Sequence, residues 1–293
     1  MESRRIQKVG ERSYSISLPK DWVVLNKLKE KDTVFVETTS NNELLIKKND
    51  LSEIKEKTFS FNIDEIDNVE EFIIFCYIKN IDSMKLFSRK KDIDKISELR
   101  LAMRDLEGFD ITNEDENTIE VSFLFKDVNI TITKMIKRMN YLIKIMYQSV
   151  LGDERSSVEE IEKTIDRLYK LAKRILFASL NNSKLRKENG IKHQEDFLFY
   201  LTIIRRLENF ADCVYQLSGQ KLSSNEKKTV KDFVELLSII IESGSKAKID
   251  TSGFEKLKNS SSNLGFIFRR MYHICIDILE NKMSIEFNNK YFS

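Results

Sequence analysis

The chain has 293 residues but only one proline, one tryptophan, two histidines and three cysteines. The two histidines, His193 and His273, cannot supply zinc-finger spacings and leave little material for a Ser-His-Asp arrangement. Cys76, Cys213 and Cys275 are odd in number, far apart and set among apolar residues. They make no disulfide framework and read as reduced, buried thiols of a cytoplasmic protein. No apolar run approaches the ~18 residues of a transmembrane helix, and the opening MESRRIQ has no hydrophobic signal core. Neither membrane insertion nor secretion is therefore expected. The patterns GxxxxGKS/T and GxGxxG are absent, which removes the usual nucleotide-phosphate loops. The chain is not expected to be an enzyme. Charge of one sign is also missing: 49 Lys and Arg against 47 Asp and Glu leave +2, so any nucleic-acid surface has to be local.

What is present begins with residues 2–48. Ile6 to Val9, then the alternating Tyr14, Ile16 and Leu18, predict two short strands broken at Gly10. Pro19 fixes its φ and ends the second strand, and Lys20, Asp21 and Trp22 open a helical turn. A charged turn from Lys29 to Asp32, a strand from Thr33 to Glu37, a polar turn and a strand from Leu44 to Lys47 follow. Trp22 reads as a packing residue of this unit rather than a platform for bases. Residues 1–20 hold Arg4, Arg5, Lys8, Arg12 and Lys20 against Glu2 and Glu11, five positive and two negative charges, net +3. Such a cluster suits a phosphate backbone, although a solvated basic face of a dimerisation segment has the same composition.

Arg4-Arg5, Gly10, the run Ser13 to Pro19 with its Ser-Leu-Pro-Lys ending, Leu28, Asp32 to Val36 and Leu44-Leu45-Ile46 resemble a domain of the AbrB/MazE/SpoVT family. The resemblance implies a swapped-hairpin β-barrel, formed by two chains, that binds DNA through the five basic residues. Physics points the same way. A segment this short cannot bury enough apolar area alone, and two copies would close a shared barrel and remove its strand edges.

Residues 49–57 read as a polar linker. Between 58 and 126 the pattern is mixed: strands at Phe59–Ile63, Met84–Phe87 and Thr118–Phe125, and helices at Val69–Lys79 and Ile93–Leu106, the latter stopped by Gly108. Beyond Asp127 the periodicity is helical. Five long helices are predicted. The first ends at Gly152, the second opens on a Ser156–Glu159 capping box, and the third runs from Glu195 to Leu217. The fourth opens on Ser223–Glu226 and closes at Gly244, and the fifth covers Phe254 to Lys282. Short polar breaks between them predict an antiparallel bundle. The expected class is multidomain α+β: the barrel at 1–48, a small α/β segment at 58–126 and the bundle at 127–284.

Two of the predicted helices carry carboxylates at i, i+4: Glu162 with Asp166, and Glu208 with Asp212. That spacing puts each pair on one face, at the polar edge of the apolar stripe. On neighbouring helices, four carboxylates could converge on a shallow groove suited to hard cations. Arg167, Arg205 and Arg206 could instead neutralise them as ion pairs. His273 and Asp277 are a further i, i+4 pair.

Glu162-x-x-x-Asp166-Arg167-Leu168-Tyr169, together with Ile204-Arg205-Arg206-Leu207-Glu208-Asn209-Phe210-Ala211-Asp212, resembles a PhoU domain. Arg270 to His273 and Asp277 to Glu280 resemble its closing helix. The likeness spans roughly residues 128–283 and departs at Asn209 and Cys213, where arginine and histidine are usual. It implies a cytoplasmic regulator of phosphate uptake, with a divalent metal or iron on Glu162, Asp166, Glu208 and Asp212, extended at most to Asp277. The two resemblances together imply a DNA-binding transcriptional regulator of phosphate homeostasis. Its partners would be DNA, a second copy of the chain, and phosphate transporter or signalling components. The alternative is an adaptor that docks on a transporter or signalling partner and uses its first segment only to dimerise.

Overall fold

The computed structural model describes residues 2–38, 44–48, 58–89, 92–125, 130–244 and 262–292. The chain divides into two compact units, residues 1–55 and 56–293. The expected linker at 49–57 lies outside the described residues.

The first unit contains two two-stranded antiparallel sheets, β1 (Gln7–Val9) with β2 (Ser13–Ser15) and β3 (Phe35–Thr38) with β4 (Leu44–Lys47). Gly10 turns the first hairpin at φ 70°, a left-handed conformation that glycine adopts without strain. Between the sheets lies α1 (Lys20–Leu25), capped by Pro19 at φ −59°. Lys48 Nζ donates to the Asn26 carbonyl at 2.6 Å, tying the end of β4 to the end of α1. None of the described residues of this unit is buried, and Ile6, Val9, Tyr14, Ile16, Leu25 and Leu44 are each more than half exposed. Backbone hydrogen bonding forms these strands, yet a single chain gives their apolar side chains nothing to pack on.

The second unit starts with a four-stranded sheet of order β5-β6-β8-β7: β5 (Phe59–Asn62), β6 (Ser83–Phe87), β7 (Phe109–Glu114) and β8 (Thr118–Phe123). β5 and β6 are parallel and joined through α2 (Val69–Ile78), while the pairings β6–β8 and β8–β7 are antiparallel. Alternation sends Met84, Leu86, Ile119 and Val121 into the core, and leaves Lys85 and Glu120 ion-paired at 3.1 Å on the other face. β7 was not legible as a strand. Its sequence FDITNE places four polar residues on an edge, and β8 pairs with it through a bulge between Ile111 and Asn113. Gly108, read as a helix stop, instead follows α3 (Ile93–Arg104) at some distance and leads into β7 with φ 80°. A Cβ there would lie 2.6 Å from the Phe125 ring.

The helical part comprises α4 (Ile132–Leu151), α5 (Arg155–Asn181), a short α6 (Ser183–Glu188), α7 (Asp196–Gln216), α8 (Ser224–Ser243) and α9 (Asn263–Tyr291). The Ser223–Glu226 capping box is present and opens α8. The one expected at Ser156 is not: α5 begins at Arg155 with no side-chain cap. The Glu154 N–H already bonds to the Ser149 carbonyl at 2.9 Å, so the turn delivers the chain into the helix before Ser156, and Glu159 pairs with Arg155 at 3.3 Å. α9 starts at Ser262, which caps Gly265, and continues past Lys282 because Ile285 is buried and Asn288 donates to Asp196. The start expected at Phe254 lies outside the described residues.

Contacts fix the helix directions. Phe177 meets Phe197 where α5 and α7 run in opposite senses, and Asp196–Asn288 and Arg206–Asp277 set α7 against α9. The Phe233 and Phe268 rings meet at a tilt with centres 6.4 Å apart, while Lys282 Nζ donates to the Ile240 and Ile241 carbonyls at 3.0 and 2.6 Å. α8 and α9 therefore run in the same sense, and the expected antiparallel order fails at this last step. The chain between Gly244 and Ser262 is long enough to return along the ~30 Å of α8.

One buried charge joins the sheet to the helices. Arg174 of α5 is 2% exposed, and its guanidinium carbon lies 4.0 Å from the Phe123 ring centre and 5.0 Å from that of Tyr77. It donates to the Tyr77 carbonyl at 2.6 Å, to the Ile81 carbonyl at 3.3 Å and to the Asp82 carboxylate. The loop between α2 and β6 is thereby pinned to α5. No local signal marks this role, because a lone arginine on an amphipathic helix usually reads as surface.

Candidate functional site

Two regions hold the residues singled out from the sequence, one in each unit. In the first unit Arg4, Arg5, Lys8, Arg12 and Lys20 are all exposed. Arg4 is held by Glu2 at 2.5 Å, Arg12 sits in the turn after Gly10, and Lys20 opens α1. The strand register separates this cluster into faces. Lys8 lies opposite Tyr14, Gln7 opposite Ser15 and Val9 opposite Ser13. Opposed residues share a face and neighbours along a strand alternate. One face therefore carries Lys8 and Tyr14, continued along the chain by Ile6 and Ile16. The other carries Gln7, Val9, Ser13 and Ser15. Gln7 and the two serines escaped the search for charge, although period-two counting from Tyr14 would have found them.

In the second unit α5 and α7 bring all four carboxylates together. Glu162 is raised above its ordinary value of 4.5 by burial first and then by Asp166, Asp212 and Glu208. Asp166 is raised by burial and Asp212, against the opposing pull of Lys170. Glu208 is raised by burial, with Asp212 and Asp166 adding, although Asn209 donates to its Oε2 at 2.5 Å and holds it down. Asp212 is also raised by burial, partly offset by Arg270 at 3.7 Å. The acids are half-buried rather than on a solvated face.

The cations are distributed differently from the sequence reading. Arg206 pairs with Asp277 of α9 at 2.6 Å, Arg205 acts on Glu208, and Arg167 Nε donates to the Lys163 carbonyl. Arg270 of α9 is the missed partner. Asp277 is thus engaged by Arg206, while His273 is exposed. Burial pushes the Cys213 thiol up to about 12, which keeps it protonated and a poor ligand. Among the described residues, no three or more His, Cys, Asp or Glu side chains are grouped so as to hold one ion.

A pH dependence follows from these shifts. Carboxyls raised in the folded state cost stability in their charged form. That cost is fully present above the folded values and is relieved as pH falls through them, down to the ordinary 3.8 of Asp and 4.5 of Glu. Relative to the wild type, the variant Glu162→Gln/Asp166→Asn/Glu208→Gln/Asp212→Asn should gain most stability near pH 7. The gain should shrink as pH falls towards 4.5 and then 3.8, as measured by urea unfolding at each pH. A gain independent of pH would mean that neither burial nor neighbouring charge raises these carboxyls.

Residues 7–53, spanning β1 to β4, match the family model described as "Antidote-toxin recognition MazE, bacterial antitoxin". No curated protein and no solved structure matches the chain. The family match supports the likeness of the N-terminal strands to the AbrB/MazE type. Among the described residues, no helix is long and apolar enough to cross a membrane.

Proposed function

We propose that this protein is a DNA-binding transcriptional regulator that dimerises through residues 1–48 and senses or docks through its helical part to control phosphate uptake. The observation that carries the first half is the combination of formed strands, no buried residue among those described and a net charge of +3 over residues 1–20. A second copy would cover the exposed Ile6, Tyr14 and Ile16 and double the basic cluster. The second half rests on the resemblance of residues 128–283 to PhoU domains, with the α5–α7 carboxylates as its focus. The acids as placed do not fit a metal centre, since Arg270 and Asn209 already engage two of them and Cys213 is protonated. No part of the proposed role is routed through a metal.

The family description would also suit an antitoxin. That reading is weaker for a chain in which residues 56–293 form a compact unit with their own core. An adaptor that merely dimerises has no use for Arg4, Arg5 and Arg12. The test is binding of the full chain to genomic duplex fragments across salt concentrations, with and without phosphate. With ~4–8 phosphate contacts per dimer, log K should fall with log salt at about 0.9 per contact. Arg4→Ala/Arg5→Ala removes two candidate contacts from each protomer, so the slope should flatten by roughly 2–4 while helical circular dichroism is unchanged. An unchanged slope would remove these arginines from the interface.

A further inference from the structure

We propose that the β1–β2 ribbon reads DNA sequence in the major groove through Gln7, supported by Ser13, Ser15 and Val9, while the arginines around it supply affinity. The inference rests on the DNA-binding reading above and deepens it. Three observations carry it. First, the register puts Gln7, Val9, Ser13 and Ser15 on one face of the hairpin, and all four are exposed. Second, the opposite face holds Tyr14, with Ile6 and Ile16 along its line, each more than half exposed. In a closed dimer the apolar face turns inward, because burying it removes the largest exposed apolar groups of the hairpin. The polar face then has to point out. Third, that outward face is small and hydrogen-bonding at every position but Val9. Arg5 precedes it and Arg12 stands at its tip, so positive charge brackets it.

A two-stranded ribbon fits the B-DNA major groove, ~12 Å wide. Side chains as short as serine let the backbone approach the base edges closely. The carboxamide of Gln7 sets an N–H donor beside an oxygen acceptor, which match N7 and N6 of adenine. Ser13 and Ser15 hydroxyls can serve either base of a pair, and the Val9 methyls suit the thymine methyl. The chemistry therefore selects A·T pairs at the ribbon, once per protomer. A two-fold dimer would present the ribbon twice, so the preferred site should be a pseudo-palindrome. Lys8, on the Tyr14 face, takes no part in base reading.

The experiment is selection from a random duplex library with the full-length protein, followed by affinity measurement on the selected and a scrambled duplex. The wild type is expected to select two related half-sites containing A·T pairs. Gln7→Ala removes one bidentate contact from each protomer, so the ratio of selected to scrambled affinity should fall by about 25- to 20,000-fold, with scrambled-duplex affinity and salt slope unchanged. Gln7→Lys should move the preference at the same position towards G·C, because a lysine matches guanine O6 and N7. A structural role for Gln7 would not redirect the preference. Three outcomes would overturn the inference: no sequence preference in the wild type, a preference unchanged in Gln7→Ala, or no redirection in Gln7→Lys. Failure of the wild type to bind any duplex is a separate result, and it would remove the DNA-binding reading itself.

Discussion

Deleting residues 1–48 should convert a dimer into a monomer that keeps its helical circular dichroism and no longer binds duplex DNA. Light scattering is expected to give about twice 34.5 kDa for the full chain and a single-chain mass for the truncated one. The expectation follows from where burial is found. The second unit has a contiguous core running from Ile63 to Ile285, so it should fold without the first. The first unit has no buried residue among those described, so its strands lack a reason to persist as a lone chain. DNA affinity should drop below the ~10⁻⁴–10⁻⁶ M of non-specific binding, because Arg4, Arg5, Arg12, Lys20 and the ribbon leave together. Full-affinity binding by the truncated protein would place the interface on the helices and dismantle the proposed function.

Replacing Arg174 with Met should destabilise the second unit by about 3 kcal/mol. Breaking a buried pair typically costs about 3–5 kcal/mol, and the lower end applies because the Asp82 side chain is 45% exposed and can regain water. The loss consists of the guanidinium's bonds to the Ile81 carbonyl and to the Tyr77 carbonyl, which keeps its bond from the Asn80 N–H, together with the cation's contacts over Phe123, Tyr77 and Phe109. For a unit of this size the melting temperature should fall by roughly 6–12 °C. Asp82→Asn should cost less than half as much, since a carboxamide oxygen still accepts from the guanidinium. Hydrogen exchange should quicken in the α2–β6 loop before it does in α8, which the substitution does not touch. Arg174→Met within about 1 kcal/mol of wild type would show that the sheet is held to α5 by apolar packing alone.

Local signals carried much of the architecture. Leu44 to Lys47 is a strand with the bounds expected for it, and Ser223–Glu226 opens a helix as a capping box should. The i, i+4 carboxylates fell on facing helices, as their spacing allowed. Signals failed where a long-range contact decided. Ser156 has the right neighbours for a cap, but the turn after α4 reaches the helix first. β7 has the composition of a loop and becomes a strand because β8 offers it an edge.

From residue types and spacing alone come the α+β composition, the charge of the first twenty residues, the apolar stripes of the long helices and the pairing of Glu162 with Asp166 and Glu208 with Asp212. These are properties of neighbours in sequence, set by a period of 2 or 3.6 residues. Tertiary structure alone decided which cation meets which acid, the shared direction of α8 and α9 and the burial of Arg174. Each depends on a partner far along the chain. A side chain's spacing fixes the direction it leaves its own helix or strand, but its energy is set by what the fold brings to meet it.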